Sequence, residues 1–439
     1  MSLSPRRRQE IVDALRRGTV PQRSLDAFAV GLDRFAPALE EELASVQAGS
    51  AAFKAVRGEY GSGKTFFSRW LQERARQKGF ATTEVQVSET ETPLHRLETV
   101  YRRLVERLAT EDTPVGAFRS IVDGWFFALE QDVLGEGQIA EQDGAALLAR
   151  TDALMEQRLA AITSSAPALA SALRAYRRAS SEGQTALAEG VLAWLAGQPN
   201  VGAEVKRFGG LKGEIDHFGA LSFLQGLLVM LRDSGRPGLL LVLDEVETLQ
   251  RVRGDVRDKG LNALRQLIDE VDGGRFPGLY LLITGTPAFF DGPQGVQRAP
   301  ALASRLQTDF NTEPRFDNPR AVQVRLPGFN LALLADVGRR IRDIFAEGSP
   351  NAGRVRECAD DSYIEKLAQA VTGELGGRVG VAPRVFLKKL VADVLDRIDQ
   401  FADFDPRQHY ALTITDGELT PAERSARAAK DPDDIELEP

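Results

Sequence analysis

The chain has 439 residues, a length that suits two or three domains, and its 43% hydrophobic and 27% charged residues can supply globular cores. Acidic residues outnumber basic ones, 63 to 55, which gives a net charge of −8. This balance argues against a dedicated DNA-binding domain, because sequence-independent DNA affinity comes from basic side chains, but it leaves contact through a local basic groove open. The single cysteine excludes a disulfide framework and a cysteine-based zinc site. No apolar run is long enough to span a membrane, so we expect a soluble, cytoplasmic protein without membrane contact.

Residues 1–50 form the first predicted unit, an N-terminal helical segment. Apolar residues at three- and four-residue steps predict two helices within 5–46, separated by a Gly-Thr-Val-Pro break. A short β-prone run at 52–56 follows and leads directly into a glycine-rich loop.

After that loop the sequence predicts a helix at 66–78, a strand at 82–87 and a helix at 93–108. The pattern changes between about 113 and 215, where helical stretches are separated by Gly- and Ser-rich breaks and no strand is indicated. We interpret this region as a helical insertion, for packing or for interaction.

Uninterrupted apolar runs in the second half of the chain predict buried strands. The runs at 238–243 and 279–283 are typical of strands that are covered on both faces of a parallel sheet, and a last strand is predicted at 321–326. Helices are predicted between the strands. This alternation predicts an α/β fold with a doubly wound parallel sheet over residues 51–328.

The C-terminal part of the sequence is again helical in pattern. Residues 329–410 are predicted to form a helical lid. The remaining 411–439 are acidic and contain few large apolar residues, so we expect a mobile tail.

The glycine-rich loop at 58–65 reads Gly-Glu-Tyr-Gly-Ser-Gly-Lys-Thr, a complete Walker A motif. Glycines let such a loop wrap a phosphate with its backbone N–H groups, and the following helix adds its N-terminal dipole. Lys64 is expected to reach the β- and γ-phosphates of ATP, and the Thr65 hydroxyl to bind Mg²⁺. A strand before the loop and a helix after it predict a P-loop NTPase. The predicted nucleotide-binding residues are Gly58, Glu59, Tyr60, Gly61, Ser62, Gly63, Lys64, Thr65 and Phe66.

Two carboxylates follow the apolar run that ends at 243. We expect this strand to end beside the strand that precedes the loop, at the edge of the sheet where ligands bind. Asp244 is then expected to hold Mg²⁺, and Glu245 to polarise the attacking water. Glu247 is a weaker third candidate, expected at the surface or behind the residues that touch the ligand.

Thr284 closes the next apolar run. A polar side chain at the tip of a strand adjacent to the Asp-Glu strand can orient the water that attacks the γ-phosphate. Thr286 is the neighbouring possibility, and both residues also suit a simple Thr-Gly-Thr-Pro turn.

Two arginines complete a possible catalytic set. Arg305 lies about twenty residues past Thr284, and Arg384 opens a predicted helix in the lid. A permanently charged guanidinium suits the negative charge that develops during phosphoryl transfer. The alternative is that each arginine is an ordinary surface cation.

The order of these motifs resembles the AAA+ ATPases, particularly the origin-recognition and helicase-loader branch. The resemblance implies that Thr284 is sensor 1, Arg305 the arginine finger and Arg384 sensor 2 in the lid. It also implies a homo-oligomer, a ring or an open spiral, in which the finger reaches a neighbour's nucleotide.

The run from Phe53 to Phe66, together with Leu-Asp-Glu-Val-Glu at 243–247 and Gly-Thr-Pro at 285–287, resembles the BrxD-like ATP-binding proteins of BREX phage-defence systems. This resemblance implies a bacterial antiviral role beside a partner helicase. Two features depart from the helicase-loader pattern: no winged-helix domain is evident after the lid, and the insertion at 113–215 is extra.

Three functions therefore remain open from the sequence. The first is an ATPase that couples hydrolysis to engagement of a partner or of DNA. The second is a nucleotide-dependent switch or scaffold with negligible turnover. A phosphotransferase is less favoured, because nothing in the sequence marks a pocket for an acceptor substrate.

Overall fold

The computed structural model describes residues 3–137, 139, 142–160, 166–374 and 382–415, together with 417, 419 and 424. Most of the predicted tail at 411–439 therefore lies outside the described residues.

Five strands form one parallel sheet, which confirms the predicted α/β class. In spatial order the sheet reads β2-β3-β4-β1-β5. All residues of β3 and β4 are buried, as expected for apolar runs covered on both faces. The strands are β1 (Ala52–Arg57), β2 (Ala81–Gln86), β3 (Leu239–Asp244), β4 (Leu279–Gly285) and β5 (Gln323–Arg325).

The strand that carries Asp244 does not lie beside β1, and in this respect the expectation from the sequence was wrong. β4 lies between them, with Val56 of β1 opposite Thr284 and Leu243 of β3 opposite Ile283. β3 and β4 are equally apolar and equally buried, so hydrophobicity alone does not indicate which of them lies beside β1. The consequence is that Thr284 lies between the loop that follows β1 and Asp244.

Two helices precede the strand that leads into the loop, and a third begins in the loop. A side-chain cap starts the first of them, since Ser4 accepts from the backbone N–H of Arg7. Its far end packs on the C-terminal helices, where Arg16 donates to both oxygens of Asp396. The helices are α1 (Pro5–Arg16), α2 (Ala36–Gln47) and α3 (Lys64–Gln77), with a 3₁₀ turn at Leu25–Ala27.

Between β2 and β3 the described residues form helices. Tyr101 donates to the backbone oxygen of Leu195, and Trp125 donates to Asp233, so these helices bind one another as well as the sheet. They are α4 (Leu97–Glu106), α5 (Phe118–Gly135), α6 (Gly144–Arg158), α7 (Pro167–Ser181), α8 (Thr185–Leu195), α9 (Ala203–Gly209) and α10 (His217–Asp233).

The remaining helices follow the last three strands. Asn330 caps the longest C-terminal helix by accepting from the N–H of Leu333. The helix that Arg384 was predicted to open continues into a π-helical stretch at Lys389–Leu395. The helices are α11 (Gly254–Asp272), α12 (Pro287–Asp291), α13 (Pro300–Leu306), α14 (Leu331–Gly348), α15 (Ala352–Cys358), α16 (Asp361–Glu374), α17 (Ala382–Lys388), α18 (Asp396–Gln400) and α19 (Pro406–His409).

Side chains alternate across the sheet and separate two hydrophobic cores. Leu241 and Leu243 point to the core that contains the helices between β2 and β3, together with α11. Leu240 and Val242 point to the core that contains α1, α2, α3 and the C-terminal helices. Within the described part of the chain, no helix is both long and apolar enough to cross a membrane.

Gly338 lets three C-terminal helices pack closely. A Cβ added to this residue of α14 would lie 2.7 Å from the Phe386 ring of α17 and 2.8 Å from Ile364 of α16, and both neighbours are fully buried. We expect Gly338→Ala to lower the free energy of unfolding by about 1–3 kcal/mol, because overpacking outweighs the better helix propensity of alanine. Urea denaturation measures the change. Gly124→Ala in α5 is the control, since nothing lies within 4 Å of its added Cβ; equal stability of the two variants would contradict the packing argument.

Candidate nucleotide-binding site

The loop at 58–65 joins β1 to α3 and depends on its glycines. Gly63 has a φ of 93°, in the left-handed region that other residues rarely adopt. A Cβ added to Gly58 would lie 2.3 Å from the Oγ and 3.2 Å from the Cβ of Ser62, so the loop folds back closely on its first glycine. That buried Ser62 Oγ has no hydrogen-bond partner among the described residues. The loop is thus a tightly wound turn, as a phosphate cradle requires.

Lys64 lies inside this turn and is only 8% exposed. Its Nζ donates to the backbone oxygens of Gly58 at 2.8 Å and Glu59 at 3.3 Å. The ring centre of Tyr60 lies 5.1 Å from the same Nζ. The loop therefore holds its lysine with neutral acceptors, which a phosphate, with its greater charge, can replace.

Asp244 connects the loop helix to the central strands. The Thr65 hydroxyl donates to its Oδ2 at 3.3 Å, and the Thr284 hydroxyl donates to its Oδ1. Burial raises the pKa of Asp244, and the hydrogen bond from Thr284 opposes that shift. Thr284 itself is fully buried. The structure brings these three predicted residues together.

A hydroxyl and a carboxylate at this spacing fit Mg²⁺, which takes oxygen ligands and is commonly bound by one or two protein groups together with substrate phosphates and water. Among the residues that the structure describes, no group of three or more His, Cys, Asp or Glu side chains forms an independent metal site. Thr65 and Asp244 would therefore hold the ion jointly with a nucleotide.

Glu245 has a left-handed backbone, with a φ of 59°, a conformation that is uncommon for residues with a side chain. Its N–H donates to the Thr284 hydroxyl at 3.3 Å, and its Oε2 accepts from Gln86 at 2.8 Å.

Gln86 is the last residue of β2, and it was not predicted from the sequence. Knowing that β2 lies beside β3 would have identified it, because the carboxyl ends of neighbouring parallel strands meet at one edge.

Glu247 is not at the surface, so that alternative from the sequence was wrong. It is 4% exposed, because the 3₁₀ helix Val246–Gln250 turns it toward the loop, and its Oε1 lies 3.9 Å from the Nζ of Lys64. Burial raises the pKa of Glu247 to about 7, with Lys64 acting in the opposite direction.

The structure does not bring Arg305 to the loop of its own chain. It is half-exposed on α13 and donates to Asp269, toward the C-terminal end of α11. α11 begins after the Asp244–Glu245 strand end, and Asp269 lies on the order of 20 Å further along the helix.

Three other residues singled out from the sequence, Arg384, Phe66 and Thr286, have the following surroundings. A Cβ on Gly18 would lie 3.4 Å from the Arg384 guanidinium, so Arg384 lies beside the end of α1. The Phe66 ring packs edge-on against Phe28, with 5.3 Å between ring centres. Thr286, the alternative to Thr284, is buried.

A protein-family model described as BREX system ATP-binding protein BrxC/D matches residues 3–414. The chain belongs to the BrxC/BrxD family. This membership covers nearly all of the sequence and confirms the resemblance to BREX ATP-binding proteins. It supports ATP as the ligand of the loop and phage defence as the setting. A search of curated proteins finds no match for this chain.

The close contact at Gly58 gives a test of the loop in this BrxC/BrxD family member. In Gly58→Ala, rotating the Ser62 side chain relieves the contact with its Oγ, but the new Cβ stays 3.2 Å from the Cβ of Ser62, so the loop must shift slightly to accommodate it. The tightly wound loop that binds phosphates would cost about 1–3 kcal/mol more to form in the variant, which corresponds to ATP affinity that is roughly ten- to a hundredfold weaker. Isothermal titration calorimetry measures it. Gly353→Ala, with open space around the added Cβ, should bind ATP as the wild type does; wild-type affinity in Gly58→Ala would contradict this account of the loop.

Proposed function

We propose that this chain is an AAA+-type ATPase that binds Mg²⁺–ATP at the loop 58–65 and hydrolyses it. The observation that carries the proposal is the convergence on Asp244. Hydroxyls from Thr65 and Thr284, far apart in the sequence, both donate to this one buried carboxylate. P-loop ATPases need such a group beside the phosphates, where the ion neutralises developing charge.

Each residue has a proposed task. Lys64 exchanges its backbone acceptors for β- and γ-phosphate oxygens, and the loop N–H groups bind the same phosphates. Thr65 and Asp244 hold Mg²⁺, which supplies charge neutralisation and orients the phosphates. Thr284 fixes the orientation of the Asp244 carboxylate.

Glu245 is the proposed group that polarises the attacking water. Glu245 is the residue after Asp244, and its N–H donates to the Thr284 hydroxyl. These two constraints fix its position. A carboxylate at this point can accept a proton from water as the oxygen attacks the γ-phosphate.

A switch or scaffold with negligible turnover is the second candidate. The observation that favours it is the hydrogen bond from Gln86 to Glu245, which engages the carboxylate that hydrolysis needs. In this alternative the chain binds ATP and recruits a partner without consuming the nucleotide.

The proposed partners are supported by the family and by the position of Arg305. A BREX protein acts within a defence system, and we propose that this one couples its ATP state to engagement of a partner helicase or of DNA.

The half-exposed Arg305, remote from its own loop, suits an arginine finger that acts in trans in a homo-oligomer. Arg384 is proposed to respond to nucleotide from the C-terminal helices.

Glu245→Gln separates the two candidates. We expect ATP affinity to be kept and steady-state hydrolysis to fall by about a hundredfold or more, because the amide cannot accept the proton. Phosphate release under saturating ATP and Mg²⁺, with calorimetric ATP binding as the control, measures both effects. Wild-type protein that binds ATP but releases no phosphate, alone or with DNA, would instead support the switch.

Arg305→Ala tests the role in trans. Because its guanidinium contacts Asp269 and not the loop, we expect the variant to bind ATP normally and to lose most hydrolysis. Arg150→Ala is the control, since Arg150 is similarly exposed and paired, with Glu136, and has no proposed role.

Mixing the Arg305→Ala variant with Lys64→Ala protein completes the test. A mixed oligomer contains some sites with an intact loop in one subunit and an intact arginine in its neighbour. Partial recovery of phosphate release is therefore expected, whereas no recovery would place Arg305 outside any shared site.

A further inference from the structure

Glu247 is a buried carboxylate with unusual surroundings. It is 4% exposed, and neither of its oxygens has a hydrogen-bond partner on another described residue. Buried carboxylates are almost always hydrogen-bonded, because burying an unpaired charge is costly. Packing of the fold alone therefore does not explain why an unpaired carboxylate is buried at the edge of the candidate site.

Lys64 is the cation that faces this carboxylate. The separation of 3.9 Å between the Nζ of Lys64 and the Oε1 of Glu247 is an ionic contact, longer than a hydrogen bond. The nearer acceptors of Lys64 are the neutral oxygens of Gly58 and Glu59. Glu247 thus supplies a negative charge to the lysine of the loop without hydrogen-bonding to it.

Both members of the pair are shielded from water. Lys64 is 8% exposed, and the Tyr60 ring lies against its Nζ. Coulomb interactions are stronger in such surroundings than at an open surface. The charge of Glu247 therefore acts strongly on whatever anion approaches Lys64.

We propose that Glu247 is the internal counter-charge of Lys64, which the phosphates of a nucleotide must outcompete, so that this carboxylate weakens nucleotide binding and weakens that of ATP more than that of ADP. The inference deepens the proposed function and rests on ATP binding at this loop. The physical reason is that phosphates and carboxylate are like charges that share one ammonium group. The γ-phosphate adds negative charge near Lys64, so ATP experiences more of the repulsion.

The test compares wild type with Glu247→Gln, which keeps the shape of the side chain and removes its charge. Calorimetric titrations with ATP and ADP, each with Mg²⁺, are made at pH 8. We expect ATP to bind Glu247→Gln about tenfold more tightly than wild type, with a smaller gain for ADP. Equal or weaker ATP binding by the variant would overturn the proposal. Loss of hydrolysis with unchanged affinity would also overturn it, because Glu247 would then act on the attacking water.

Glu42→Gln is the matched control. Glu42 pairs at 2.5 Å with Lys54, a buried lysine of β1 that lies before the loop. Removing this charge perturbs a Lys–Glu pair of the same sheet without touching the loop, so ATP and ADP affinities should stay at wild-type values. An equal gain in Glu42→Gln would overturn the proposal, since the effect would then come from net charge alone.

Two further outcomes are distinguishable. If wild type binds neither nucleotide, the proposed function fails, and this inference fails with it. If wild type binds ATP but Glu247→Gln does not fold, Glu247→Asp replaces it, because the shorter side chain keeps its charge and moves it away from Lys64. A gain of a few-fold in ATP affinity then supports the inference, and an unchanged affinity overturns it.

Discussion

The buried carboxylate of Asp244 imposes the tightest constraint on this site. A charge taken out of water must be hydrogen-bonded, and both of its donors are hydroxyls from other elements, Thr65 of α3 and Thr284 of β4. These bonds fix the loop helix and the tips of the two central strands relative to one another. The position of Glu245 follows from the same arrangement, since its N–H binds the hydroxyl of Thr284.

The charges around Lys64 bear on how a protein with a net negative charge could bind a phosphate anion. Lys64 is buried, and its Nζ lies 3.9 Å from the Oε1 of Glu247. We propose Asp244 as a ligand of a metal ion and Glu247 as the counter-charge of the lysine. Residues 58–65 contain no basic side chain other than Lys64, whose hydrogen-bond acceptors are backbone oxygens of the loop. We therefore propose that nucleotide affinity depends on the backbone N–H groups of the loop and on the balance of these charges, and not on an excess of positive charge.

The sequence predicted the loop, the strands that carry Asp244 and Thr284, and the parallel sheet, because long buried apolar runs and glycine spacing are local signals. It misplaced β3 relative to β1, because the two central strands are equally apolar and their order is set by tertiary packing. For Glu247 the sequence left open a position at the surface, where carboxylates usually lie, and one behind the residues that touch the ligand; the 3₁₀ helix after β3 turns it inward. Gln86 was missed because its contact with Glu245 depends on strand order.

The N-terminal segment joins the loop helix to the C-terminal helices. The Phe28 ring packs on Phe66 of α3, while the backbone oxygen of Ala29 accepts from Arg340 and Gly31 lies near Leu333, both of α14. A few consecutive residues thus contact both elements. Because α3 starts at Lys64, a shift of this helix on phosphate binding would move the surface on which Phe28 packs. The N-terminal segment is therefore a direct packing link between the loop helix and the C-terminal helices.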